Sequence, residues 1–213
     1  MQKMKSDKST TSPNKTELRA YGLKYLLPNN KKITKLKKNF KPSNHGNKVW
    51  SSNWVLIDFI NESNLITNHR VLEIGCGWGM CGIFCAKKYN VTVTGIDMDC
   101  DVEPYVELHS KVNNVKIDFL NLDFNQVKKN ILKNVDIVIG SDICFCDSLI
   151  DPLRRFIQRA KNASVRQILI SDPGRWPFDD LAELYLGKKG VELIEWRTNK
   201  PFNVFGKILK IEF

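Results

Sequence analysis

No stretch of the sequence approaches the roughly 18 consecutive apolar residues that cross a bilayer, which excludes a helical membrane span. The opening residues, MQKMKSDKSTTSPNK, lack the apolar centre of a secretory leader and the Arg-rich amphipathic face of an organelle address, so the chain is expected to be cytoplasmic. No CxxC pair occurs among the six cysteines, and Cys144 and Cys146 form a lone CxC without a nearby His. A metal site is therefore not expected, and the thiols read as reduced small hydrophobes. No internal repeat is present. Acid is scarce in one place only: residues 1–48 hold 13 of the 33 Lys and Arg but two of the 23 Asp and Glu, and the rest of the chain is nearly neutral.

With 42% apolar and 26% charged residues over 213 positions, the chain has the balance of one globular domain. The charge divides it into a basic, partly disordered N-terminal arm over 1–47 and a folded domain over 48–213. The densest basic tract, KKITKLKKNFK at 31–41, reads either as a solvated extension or as an electrostatic footprint for nucleic acid. The neutrality of residues 49–213 argues against a broad phosphate-tracking surface.

From Trp50 to Ile60 the spacing of Trp50, Trp54 and Ile57 predicts a helix capped by Ser51 or Ser52. Beyond it, apolar runs at 71–74, 91–96, 115–119, 135–139 and 167–170 alternate with helical segments, which implies a parallel sheet. Runs at 191–196 and 207–213 are joined by a connection too short for a crossover helix, so the last strand must be antiparallel to its neighbour. The expected fold is α/β, a Rossmann-like doubly wound seven-stranded sheet, mostly parallel with the last strand antiparallel, and with helices on both faces.

The ligand of such a sheet lies beyond the carboxyl ends of its strands. There, EIGCGWGM places Glu73 before Gly75, Gly77 and Gly79, and the following helix, 79–89, points its N-terminus at the site. A dinucleotide fingerprint, G-x-G-x-x-G, would need glycine where Met80 stands. A ligand with a cationic amino group and no phosphate fits Glu73 better, and S-adenosylmethionine has that charge pattern. Asp97, 22 residues beyond Gly75, has the reach to accept from both ribose hydroxyls. Met98 and Phe124 are candidates to lie against adenine, and Asp123 to accept from its amino group.

VLEIGCGWG and GIDMD resemble the class I S-adenosylmethionine-dependent methyltransferases. Within them, HGNKVWSSNWVLIDFI, VDIVIGSDICF and ILISDPGRWPF resemble methyltransferase family 16, in particular the lysine methyltransferases of the electron-transfer flavoprotein beta subunit. The resemblance implies S-adenosylmethionine as methyl donor, S-adenosylhomocysteine as product and no metal. It implies a cofactor site that includes Trp50, Cys76 and Ser141 beside the residues above, and catalytic positions at Asp142 and Phe145. Phe145 stands where the family often has Tyr, Phe124 where it usually has Trp, and Trp78 where it has a small residue. Asp172 and Arg175 are candidates to bind a charged substrate segment. The methyl acceptor expected first is a protein lysine; a small-molecule amine, RNA guided by the basic arm, and a non-catalytic adenosyl-binding module remain open. GSDICF lacks the Asn-Pro-Pro-aromatic sequence suited to planar amides and amino-adenine, which disfavours both.

Overall fold

The computed structural model describes residues 15–43, 45–63 and 69–213. Seven strands form the main sheet: β3 (Val71–Ile74), β4 (Val93–Asp97), β5 (Asp118–Asn121), β6 (Ile137–Ser141), β7 (Gln167–Asp172), β8 (Val191–Thr198) and β9 (Val204–Glu212). Their order is β5-β4-β3-β6-β7-β9-β8, and β9 runs antiparallel to both its neighbours while the others share one direction. β3, β6 and β7 are buried along their whole length because helices cover both faces, which is why their sequences are mostly apolar.

Alternate residues serve opposite faces. Ile137, Ile139 and Leu169 pack with α2 (Ser52–Ser63), α3 (Met80–Tyr89) and α4 (Glu103–Asn113), whereas Val138, Ile168 and Ile170 pack with α6 (Ile150–Asn162) and α7 (Trp176–Glu183). The short α5 (Lys129–Leu132) adds Leu132 to the second face. β5, expected over 115–119, forms three residues later. Val115 and Ile117 are drawn off the strand to pack against the first face.

The helix expected over 50–60 begins at Ser52, and Trp50 lies outside it; the Trp50 carbonyl instead accepts from Asn53 N–H at 3.2 Å. Trp54 and Ile57 enter the core, so the helical spacing that included Trp50 was coincidental.

Of residues 1 to about 17, expected to lack structure, 1–14 lie outside the described residues, whereas a strand begins at Glu17. The rest of the basic arm is built onto the domain. β1 (Glu17–Ala20) and β2 (Leu23–Leu26) form a hairpin whose turn residues, Tyr21 and Gly22, both have positive φ, the conformation a two-residue hairpin turn demands. The tract at 31–41, read as a solvated extension or a footprint, contains the helix α1 (Lys31–Asn39), capped by Asn30 and seated through Ile33.

Trp78 holds the hairpin. Its ring, 2% exposed, stacks on Tyr105 at 4.9 Å and His109 at 5.3 Å, and Tyr25 of β2 lies 6.0 Å away. Asn113 accepts from Lys24 N–H at 2.8 Å and donates to its carbonyl at 2.9 Å. Leu26 N–H donates to His109 Nε2 at 3.3 Å, which leaves Nδ1 to donate to the Tyr105 carbonyl at 2.8 Å. A large aromatic residue at 78 is therefore a packing anchor for the N-terminal segment.

Candidate active site

The strand order reverses at β3, between β4 and β6, and the cavity opens at the carboxyl ends of these strands, as the topology requires. It encloses about 240 Å³. The turn after β3 supplies one wall through Gly75, Cys76 and Gly77. Gly75, Gly77 and Gly79 all have positive φ, so side chains at these alternate positions would be strained. At Gly77 a Cβ would meet no atom within 4 Å, so the bare backbone faces open space that a ligand can occupy.

Asp97 and Met98 form the wall from β4. The Asp97 carboxylate accepts from Gly77 N–H at 2.9 Å through Oδ2 and from Asp99 N–H at 3.0 Å through Oδ1, leaving lone pairs on both oxygens. Burial pushes its pKa up, against the lowering by these backbone donors. Asp123 and Phe124 contribute from the loop after β5, where Asp123 Oδ1 accepts from Asn125 N–H at 2.6 Å. Trp50 closes the opposite side, with its Nε1 donating to the His45 carbonyl at 2.7 Å.

Ser141, Asp142 and Phe145 come from the end of β6. Asp142 takes a left-handed backbone at φ 58°, a conformation Asp tolerates better than most residues, and its N–H donates to the Ser171 carbonyl at 2.9 Å. One carboxylate oxygen pairs with the Arg175 guanidinium; the other, Oδ2, is buried without a hydrogen-bond partner. Burial raises the Asp142 pKa, while the neighbouring Ser52 hydroxyl and Arg175 pull it down. Ser141 Oγ is likewise buried and unpartnered on the cavity wall. Phe145 stacks on His45 at 4.1 Å with the planes 14° apart.

Two residues expected at the site are not on its wall. Asp172 is fully buried and accepts from Gly174 N–H, Arg175 N–H and the Arg175 guanidinium, so it fixes Arg175 rather than meeting a substrate. Glu73, expected to face the ligand's amino group, points into the protein, where Oε2 accepts from Gly82 N–H at 2.9 Å. Burial pushes its pKa up to about 8, so near neutrality it is largely an uncharged acid.

Because the native state keeps this proton while the unfolded chain releases it from pH 4.5 upward, stability falls across pH 4.5–8 and the loss is complete above about 8. Glu73→Gln is expected to flatten that slope, with a wild-type loss on the order of 5 kcal/mol. Urea unfolding at pH 5.5 and 8.5 checks this; equal slopes for the two proteins would refute it.

Sequence reading missed His45, Lys48 and Asp99 on the wall. They sit on the segment before α2 and just past β4. Asp99 anchors that segment by accepting from Ser43 N–H at 2.6 Å, and Asp101 does the same for Lys41 N–H at 2.8 Å. The acids Asp97, Asp99, Asp123 and Asp142 outnumber the cations Lys48 and Arg175 on the wall, a field that suits a cationic ligand.

A sequence profile described as lysine methyltransferase matches residues 29–176. The chain belongs to the lysine methyltransferase family. It is 25% identical over 125 residues to the electron transfer flavoprotein beta subunit lysine methyltransferase of Danio rerio, a match covering 57% of this chain and 46% of that one. It is 32% identical over 74 residues to a putative protein N5-glutamine methyltransferase of Methanocaldococcus jannaschii, covering 35% and 36%. These matches thus span less than half the length of either relative. Magnesium protoporphyrin IX methyltransferase from Synechocystis PCC 6803, solved with bound S-adenosylmethionine, shares the fold at TM-score 0.54 and 15% identity over 74% of this chain and 76% of that one. The profile begins at residue 29, just before α1, so the family's segment takes in part of what the charge pattern set apart as an arm.

The site fits S-adenosylmethionine by its own chemistry. The bare Gly77 backbone, the remaining lone pairs of Asp97, the orphaned Ser141 hydroxyl and the acidic wall match a cationic adenosyl ligand without phosphate. Among the described residues, no group of three or more His, Cys, Asp and Glu is placed to hold a metal ion.

Proposed function

We propose that this methyltransferase acts on a lysine side chain of a protein. The observation that carries the reading is Asp142: a carboxylate on the cavity wall, with one oxygen held by Arg175 and the other buried beside the Ser52 hydroxyl. A carboxylate in low dielectric favours a cationic amine over a neutral amide.

S-adenosylmethionine, when bound, supplies a methyl group on a positively charged sulfur. The chain's part is placement, and holding reactants in near-attack geometry can be worth about 7–11 kcal/mol. Asp97 is offered to the ribose hydroxyls, with Gly77 and Asp99 amides fixing its orientation. Asp172 locks Arg175, and Arg175 locks Asp142, so the orienting carboxylate is set by two successive ion pairs. An incoming lysine must lose its proton before it can attack. Asp142, its pKa raised by burial, orients the amine, and the proton passes to water at the cavity mouth. GSDICF presents this carboxylate where glutamine-directed chemistry would want flat apolar surfaces, so the lysine reading is preferred despite the glutamine-directed relative.

The test is tritiated S-adenosylmethionine incubated with the purified protein and cell extract, the products then divided by protease, by ribonuclease and by size. Label lost to protease and recovered as methyl-lysine supports the proposal; label lost to ribonuclease, or confined to the low-mass fraction, overturns it. The exposed α1 lysines Lys31, Lys32, Lys35, Lys37 and Lys38 separate protein from RNA in the same assay. Replacing all five with Gln is expected to change the labelling rate by less than about threefold, whereas an RNA substrate would give a large loss and a steep salt dependence.

A further inference from the structure

Of the two Lys and Arg side chains on the cavity wall, Arg175 is taken by Asp142 and Asp172. Lys48 is the other, and among the described residues no carboxylate lies within ion-pair distance of it. Its Nζ instead sits 4.0 Å from the centroid of the Trp50 ring, which itself lines the cavity.

The backbone around Lys48 is fixed on both sides. Gly46 is tied by its carbonyl to Trp78 Nε1 at 2.9 Å, Trp50 is tied through Nε1 to the His45 carbonyl, and Ser43 N–H is held by Asp99. Only the four-carbon stem of the lysine is left free to rotate, and the residue lines the cavity. The chain thus carries a tethered amine at the wall of a site built to bring an amine to a methyl donor.

We infer that Lys48 is itself a methylation site, modified by the cavity whose wall it forms. This rests on the lysine-directed reading above. In the step, the neutral Lys48 Nζ lone pair forms the N–C bond to the methyl of the sulfonium donor. The C–S bond breaks, its electron pair stays on sulfur as the thioether of S-adenosylhomocysteine, and a proton leaves nitrogen for solvent. Because acceptor and site share one chain, the reaction is intramolecular and its rate is independent of protein concentration. Trp50 continues to hold the product, since an aromatic face binds a methylated ammonium as it binds the parent cation.

The experiment maps Lys48-containing peptides of the full chain by mass spectrometry, first as purified and then after incubation with S-adenosylmethionine bearing a deuterated methyl. An extract protein is followed in parallel as acceptor. The expected results are methyl groups on Lys48 in the purified protein, and heavy methyl added to the unmodified fraction at a rate unchanged by roughly tenfold dilution. Lys48→Arg is expected to carry no methyl at that position. Methylation of extract protein with Lys48 bare in both samples overturns this inference and leaves the lysine-directed reading standing. Heavy methyl at Lys48 that slows in proportion to dilution overturns the intramolecular step. No label on Lys48 or on extract protein, with S-adenosylhomocysteine binding shown by calorimetry, overturns both.

Discussion

Asp97→Ala lowers the affinity for S-adenosylhomocysteine by an expected 10² to 10⁴, about 3–6 kcal/mol, if the carboxylate makes a charge-assisted hydrogen bond to each ribose hydroxyl. The loss has a second source. Asp97 also accepts from the Gly77 and Asp99 amides, so its removal leaves two part-buried N–H groups without their anionic partner and loosens the turn that forms the cavity wall. Asp97→Asn keeps one acceptor oxygen but sets an amide donor against one of these partners, and its affinity should fall between the two. Calorimetry with S-adenosylhomocysteine measures the effect, and circular dichroism distinguishes it from loss of fold. Affinity retained within about threefold in Asp97→Ala would mean that the adenosyl ligand lies elsewhere.

Trp78→Ala is expected to cost about 3–5 kcal/mol of stability, the range for removing a large buried aromatic side chain. At 213 residues this corresponds to a fall in Tm on the order of 10 °C. The damage should be local as well as global. Tyr25, Tyr105 and His109 all contact the indole, and Trp78 Nε1 holds the Gly46 carbonyl, so the hairpin and the segment over the cavity lose one common support. Hydrogen exchange should then quicken first in residues 17–26, and a variant whose hairpin stays protected would show that other contacts anchor it.

The same cluster makes a contribution to stability that weakens in acid. Burial lowers the His109 pKa to about 4, so the unfolded chain takes up a proton that the native state refuses between pH 6.5 and 4. His109 therefore contributes a loss of stability on the order of 3 kcal/mol as pH drops through that window, opposite in sign to the contribution of Glu73. Comparing denaturant midpoints of the wild type and His109→Gln at pH 7 and pH 4.5 separates this contribution from that of Glu73 and checks the sign.

The sequence by itself determined the sheet and the floor of the site. Strands buried on both faces must be largely apolar, and glycines at 75, 77 and 79 stand where the backbone needs left-handed turns at a ligand wall. The acid ending the second strand of the main sheet, and the carboxylate after the fourth, follow from the same topology, because strand ends converge where strand order reverses. Tertiary structure decided what depended on contacts distant in the chain. Glu73 has the charge for a cationic ligand, yet its direction is set by the Gly82 amide and by burial, so it becomes a neutral interior acid. Trp50 has helical spacing with Trp54, but the chain leaves the helix before it and turns the ring to the cavity. The basic arm reads as an extension with one candidate ordered segment at Leu23 to Leu27, and the place of its hairpin was fixed by Trp78, His109 and Asn113, more than 50 residues further on. Local periodicity carries no information about such partners, because burial energy depends on which surfaces meet and not on their order in the chain.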